Sequence, residues 1–141
     1  NMTAADWDEI GDRHYRKREI YTDLRWTDEE GKELNLNDHV VVGCPFGGPI
    51  AMVPDERRRS QLQQREDVSF MRIFTSAANL ISCFRWKHSG LIKLGWSEEE
   101  HLVVVLEDAT IVIYDIHGKR LRTFSMGQVC ADAHIADAYI W

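Results

Sequence analysis

From Ile20 onward, apolar and polar residues alternate with a period of two, and no apolar stripe at helical spacing runs longer than about ten residues. That pattern predicts strands. Ile92, Leu94 and Trp96 point one way with Lys93 and Gly95 opposite, and Thr22, Leu24 and Trp26 repeat the arrangement, so both segments are expected to be first strands of a sheet. After each comes a polar turn and then an apolar run, Val40 to Val42 and Leu102 to Leu106, continuous enough to predict cover on both faces. The stretch from Glu107 to Asp115, followed by Ile116 to Phe124, has the grammar of the third and fourth strands of a WD-like propeller blade. Glu107-Asp108 and His117-Gly118-Lys119 are its turns, supplied by small, polar or φ-permissive residues.

Internal comparison extends the pattern into a repeat. A shift of about 62 residues lays His39 to Val42 on His101 to Val104, and Pro49 to Met52 on Ile111 to Tyr114. A shift of about 40 lays Ile73-Phe74 on Ile113-Tyr114 and Ile81 to Phe84 on Leu121 to Phe124. Both shifts reach the same third strand, which predicts an insertion of about 22 residues interrupting strand three of the first copy. Trp26 and Trp96 are offset by 70, so the first hairpin, with Thr27 to Asp38, is expected to be about eight residues longer than its counterpart. The expected fold is all-β: about two N-terminal blades of a WD-like β-propeller, each an antiparallel four-stranded sheet. Blade one spans about 19–86 with an exposed insertion loop at about 54–68, blade two about 91–126, and a third begins at about 133–141. An immunoglobulin-like sandwich also has many short strands, but a repeat of about 40 residues favours the propeller.

Composition fits a globular chain: 141 residues, 44% hydrophobic, with five Trp, four Tyr and five Phe. The net charge of -6 argues against nucleic acid as the main partner. Cys44, Cys83 and Cys130 are odd in number and far apart, which predicts reduced thiols rather than a disulfide framework or zinc knuckle. The longest apolar runs fall well short of the about 20 residues of a membrane helix, and the N-terminus does not read as a signal peptide, so a soluble, cytoplasmic chain is expected. Asn1 before Met2 reads as a remnant of a cleaved tag, and a stop inside the strand-like run ending at Trp141 reads as a fragment of something longer.

No catalytic, cofactor-binding or metal-ligating residue is expected. The run from Gly43 to Pro49 lacks the Lys and Ser/Thr of a phosphate loop and holds two prolines that donate no amide hydrogen, so it reads as a tight corner between strands. His14, His39, His88, His101, His117 and His134 show no ligand spacing, although His39 and His101 fall at matching repeat positions under the 62-residue shift. Cys44 has no partner that would make it a nucleophile. Arg57, Arg58 and Arg59 would meet anionic lipid only against the opposing charge of Asp55, Glu56, Glu66 and Asp67, and a solvated loop is the expected role. Glu98 to Glu100 read as a polar hairpin tip. The rival from another class is a small ligand-binding or enzymatic β-domain built on the Gly47-Gly48 corner with His39 or His101.

The residues resemble the vacuolar protein sorting-associated protein 16 family at its N-terminal propeller. The likeness runs from Trp7, Gly11-Asp12 and Tyr15-Arg16-Lys17 before Glu19-Ile20-Tyr21, through Pro45 to Ala51 and Leu94-Gly95-Trp96-Ser97 with Glu99-Glu100. It continues through Glu107-Asp108, Tyr114, His117-Gly118 and Phe124 to Gly127. Phe46 stands for a usual Tyr and Ala109 for a usual Gly, the second arguing against a positive φ after Asp108. The resemblance implies a subunit of HOPS and CORVET tethering complexes, which bring endosomal, lysosomal or vacuolar membranes together for SNARE-mediated fusion. It implies protein partners among the other subunits, membrane association that is indirect, and no catalytic residues. From the open edges of a partial propeller, self-association is also expected.

Overall fold

The computed structural model describes residues 7–17, 23–58, 69–133 and 137–141. The chain is all-β and antiparallel, and helix among the described residues is confined to α1 (Gln128–Ala133) and a 3-10 turn at Leu36–Asp38. A short hairpin comes first, β1 (Trp7–Ile10) and β2 (Arg13–Arg16), with Gly11 at φ +65 in its two-residue turn. Two four-stranded meanders follow, each ordered as the chain runs. Sheet one is β3 (His39–Gly43), β4 (Ile50–Pro54), β5 (Ser69–Phe74) and β6 (Leu80–Trp86). Sheet two is β7 (Leu91–Trp96), β8 (Leu102–Leu106), β9 (Thr110–Tyr114) and β10 (Arg120–Ser125).

The period-two pattern decides which side chains form the core, because adjacent positions on a strand face opposite ways. Ala51, Val53, Met71 and Ile73 of sheet one meet Leu94, Trp96, Leu102, Val104, Val112 and Tyr114 of sheet two in one buried cluster. The sheets therefore stack face to face. Three further contacts fix the stack: Trp96 Nε1 donates to the Val42 carbonyl at 3.0 Å, Ser82 Oγ donates to the Ile116 carbonyl at 2.8 Å, and the Phe84 and Tyr114 rings lie 5.0 Å apart. The remaining positions of sheet one face away from sheet two. Met52 pairs with Arg72, which pairs with Cys83, placing all three on that opposite face.

A third layer covers part of the opposite face. Trp26 meets Phe74 edge-on at 5.2 Å, and the Glu29 carboxylate accepts from Arg72 Nε at 2.9 Å and Nη2 at 3.2 Å. This cover explains why Phe74 is buried although it points away from the main core. The Arg72 guanidinium is the largest cause holding the Glu29 carboxyl down at about 2, with the Cys83 thiol adding to it. A carboxyl whose folded pKa lies below its unfolded value of 4.5 stabilises the fold above that value, and the contribution is lost as pH falls toward 2. Glu29→Gln is therefore expected to flatten the fall in Tm between about pH 4.5 and 2, while leaving its shape near neutrality unchanged. Parallel Tm curves for the two proteins would show that the pair does not act on acid stability.

The structure corrects the expected register of the repeat. Leu24 to Trp26 do not form a strand, Thr22 lies outside the described residues, and Trp26 is not the counterpart of Trp96. Instead β3 is the first strand of sheet one, so Val40 to Val42 occupy an edge, with Val41 43% exposed, and the run covered on both faces is β4, where Ala51, Met52 and Val53 are fully buried. β4 matches β8 at an offset of 52 (Ile50 to Leu102), and β6 matches β10 at an offset of 40 (Leu80 to Arg120). The backbone agrees: Asp55 N–H bonds the Asp38 carbonyl as Glu107 N–H bonds that of Gly90, both at 2.8 Å. The extra length in the first copy is thus about 12 residues, not 22, and it falls between second and third strands instead of interrupting the third. His39 opens β3, whereas His101 immediately precedes β8, so the two are not equivalent.

Candidate protein-contact faces

Four hairpin loops share one construction. In each, a residue with a short oxygen-bearing side chain bonds through its N–H to the carbonyl four residues on, and the third residue after it returns an N–H to its carbonyl. The openers are Asp28, Thr75, Ser97 and Asp115; the returning residues Gly31, Ala78, Glu100 and Gly118 all have positive φ, from 59 to 85. In Asp28-Glu29-Glu30-Gly31-Lys32 and Asp115-Ile116-His117-Gly118-Lys119 the carboxylate also accepts two backbone N–H groups, at 2.8 to 2.9 Å. Ser97 and Thr75 hold only one each, both at 3.2 Å. A side chain at positive φ costs roughly 1–2 kcal/mol, and glycine recovers part of that at an entropic cost of about 0.5–1. Glu100→Gly is accordingly expected to raise stability by about 0.5–1 kcal/mol in urea unfolding, and an unchanged midpoint would count against strain at this turn.

Ala109 adopts φ 66 and is fully buried, which overturns the expectation that its methyl group prevents a positive φ after Asp108. Asp108 enforces the turn by accepting from Thr110 N–H at 3.0 Å, and the Thr110 hydroxyl first, with that N–H second, holds its carboxyl below the usual range. Burial of the methyl group offsets the strain.

The corner from Cys44 to Pro49 joins β3 to β4, closed by a 2.8 Å bond from Cys44 N–H to the Pro49 carbonyl. At its tip Phe46 has φ 63 and a fully exposed ring. Gly48 lies so close to Cys44 that a Cβ there would come within 2.8 Å of it. His39 Nδ1 is occupied by the Asn35 carbonyl at 2.7 Å, and His101 lies 3.5 Å from Glu99. The two histidines are each in contact with a residue of their own turn, and Glu100, beside His101, reaches the Cys44–Gly48 corner. Burial pushes the Cys44 thiol up, Glu100 adding to it, and burial pushes Cys83 up to about 12, with Glu29 adding to it; neither is poised as a thiolate. Arg58 of the basic trio turns back to the protein, donating to the Asn37 carbonyl at 2.7 Å, while Arg59 lies outside the described residues.

Other surfaces are broader. A cleft of about 510 Å³ runs between β3 and β7, with Val40, Val42, Trp86 and Leu91 as apolar wall and Glu56, Arg57, Lys93 and Glu107 at its charged rim. His88 meets Trp86 edge-on at 4.9 Å and bonds Tyr114 Oη at 3.1 Å, and burial lowers its pKa. The outer edge of sheet two is β10, exposed throughout, with Leu121 and Phe124 beside Arg120 and Arg122 and a register shift between the two arginines. Charge and a bulge are how edge strands resist indiscriminate pairing. On the far face of sheet two, Ile140 lies over Gly95 so closely that a Cβ on the glycine would meet it at 2.7 Å. Residues 137–141 form no strand, and 134–136, within the expected third blade, lie outside the described residues. Among the described residues, no group of three His, Cys, Asp or Glu is placed to hold a metal, and no helix is long and apolar enough to cross a membrane.

The family model described as Vps16, N-terminal region, matches residues 3–141, nearly all of the sequence. The chain belongs to the Vps16 N-terminal family. Protein VACUOLELESS1 of Arabidopsis thaliana is 37% identical over 141 residues, covering 98% of this chain. The vacuolar protein sorting-associated protein 16 homologs of Dictyostelium discoideum and Drosophila melanogaster are 33% and 27% identical, covering 99% and 98% of it. This Vps16 N-terminal segment spans 16% of the length of each of these three relatives. Sequence reasoning found the family but missed the Glu29–Arg72 pair and the shared loop. The signal for the loop was an Asp, Ser or Thr followed four residues later by Lys, Asn or His.

Proposed function

We propose that this chain is a non-enzymatic protein-contact module in a vacuolar protein sorting subunit, its two sheets being consecutive blades of a larger propeller. The observation that carries the reading is the face-to-face stack of two meanders with matching cross-links and offsets, on a chain whose relatives are named for vacuolar protein sorting. Such a stack spends its apolar residues on neighbouring sheets and offers edges and loops to other proteins. The polar groups of the expected ligand site are tied into turns, which favours a scaffold over a pocket with chemistry. In the finer reading, the full-length protein works in a HOPS- or CORVET-type tethering complex, in traffic from endosome to lysosome or vacuole and in SNARE-mediated fusion. It sits in the cytoplasm, peripheral to late endosomal and lysosomal or vacuolar membranes through its partners.

The test is affinity purification of the full-length protein from cytosol. Recovery of other tethering subunits is expected, with the set reduced when β10 carries Leu121→Asp and Phe124→Asp, provided the variant unfolds at the same temperature as the parent. A full-length protein that recovers no such subunit would sink the tethering assignment.

A further inference from the structure

The outer edge of sheet two is open along its backbone. Bonds at the two ends of the β9–β10 ladder, from Asp115 N–H to the Lys119 carbonyl and from Met126 N–H to the Ala109 carbonyl, both at 2.9 Å, fix which residues of β10 bond to β9. Bonded and non-bonded pairs alternate in an antiparallel ladder, so Arg122 and Phe124 turn their backbone groups inward, opposite Ile113 and Ile111. Thr123 and Ser125 turn theirs outward. All six residues of the strand are exposed. The outward groups lie in the plane of the sheet, so a sheet stacked on either face leaves them free to bond.

The same edge gathers positive charge in a chain whose net charge is -6. Lys119, Arg120 and Arg122 lie on β10 and its turn, Arg85 and Lys87 on and just after β6, the outer strand of sheet one, and neither 79–90 nor 116–131 contains an Asp or Glu. Among the described residues none of these five cations has an ion pair. The acids of the flanking turns, Asp108 and Asp115, accept backbone N–H groups of their own turns. Arg120 pairs with Tyr114 and Arg122 with Ile113, which are neighbours on β9 and face opposite ways. The register shift between the two arginines therefore sets them on opposite faces of the edge. Leu121 and Phe124 add exposed apolar surface beside them, with the Arg122 guanidinium 5.7 Å from the Phe124 ring centre.

We propose that β10 is a docking edge for an extended acidic segment of a partner protein, which adds to sheet two as a fifth strand. Adjacent residues of a strand alternate faces, so two consecutive Asp or Glu residues in the added strand would meet Arg120 on one face and Arg122 on the other. Acids spaced by one residue would reach only one of them. In strand addition the backbone bonds supply affinity and the side chains supply specificity. The cations that deter indiscriminate pairing would then select an acidic partner. An anionic membrane fits less well, because it offers no row of alternating N–H and C=O groups to Thr123 and Ser125. The inference rests on the protein-contact reading above and names the chemistry of one partner.

Fluorescence anisotropy with the full-length protein tests it, the probe being a short labelled peptide of Val and Thr around a central Asp-Glu pair. Micromolar binding is expected, weakened at least about tenfold by Arg120→Glu together with Arg122→Glu. Thr123→Pro should abolish it too, since the Thr123 N–H faces outward and its loss breaks no bond to β9. A peptide N-methylated along its central amides asks the same question with the protein unchanged, and is expected not to bind. Equal binding of that peptide would reduce the contact to charge attraction and overturn strand addition, as would no binding at about 1 mM of the parent peptide. Binding to phosphatidylserine vesicles but not to the peptide would assign the edge to a membrane, and concentration-dependent dimers abolished by the arginine substitutions would assign it to a second copy. Either result overturns the proposal. Recovery of tethering subunits without peptide binding overturns this inference alone, whereas peptide binding without such recovery sinks the tethering assignment and leaves the docking edge standing.

Discussion

Trp96→Ala is expected to lower stability by about 3–5 kcal/mol, the largest effect of any single side chain in the stack. The indole is 7% exposed at the end of β7, within the cluster shared by both sheets, and its N–H is bonded to the Val42 carbonyl across the interface. Truncation therefore opens a cavity and removes the hydrogen bond across the interface in the same step. Trp96→Phe separates the two contributions: it keeps most of the apolar volume and forfeits the hydrogen bond, at about 1–2 kcal/mol. Urea unfolding with unchanged slope would give both values. Equal losses for alanine and phenylalanine would mean that ring volume contributes nothing and that Trp96 acts only through its N–H. Since Trp96 holds β7 beside β3, the alanine variant is also expected to loosen the cleft between them and to reduce binding of any partner that spans both sheets.

Much of this was legible in the sequence because strands announce themselves by alternation. The four strands of sheet two, their turns at Glu107-Asp108 and His117 to Lys119, and the corner at Cys44 to Pro49 follow from apolar spacing and turn chemistry alone. The register of sheet one did not. Val40 to Val42 look like Leu102 to Val104, and a histidine precedes both, so the wrong strands align with equal hydrophobicity. Apolar runs report burial, not the position of a strand within a sheet, and only the backbone bonds at Asp38 and Asp55 identify the true partners. The candidate site was harder still. The Glu29–Arg72 pair joins residues 43 positions apart, and a lone arginine in an apolar strand carries no hint of which carboxylate will meet it. The repeated Asp-x-x-Gly-Lys loop was visible in principle, but it lies in a segment where the apolar pattern is weak.

Gly118→Ala carries the second large effect, expected at about 3 kcal/mol. Gly118 has φ 80, and an added Cβ would stand 2.5 Å from Cδ1 and 3.0 Å from Cε1 of the Phe84 ring. That ring cannot simply swing away, because it is stacked on Tyr114 in the interface between sheets. Two costs therefore add: roughly 1–2 kcal/mol for a side chain in the left-handed region and about 1–3 for overpacking. Gly31→Ala isolates the first, since Gly31 occupies the same loop position at φ 85 with nothing within 4 Å of the added carbon. Its expected cost is about 1 kcal/mol, after the entropy lost by the unfolded glycine is credited. The difference between the two variants measures the clash with Phe84, and shortening the ring side chain should recover most of it. In a double-mutant cycle, Phe84→Leu with Gly118→Ala is expected to be less destabilised than the sum of its parts by about 1 kcal/mol or more. Strict additivity would show that Gly118 is required only for its backbone conformation, and that the third-to-fourth-strand loop of sheet two does not help to set the distance between the sheets.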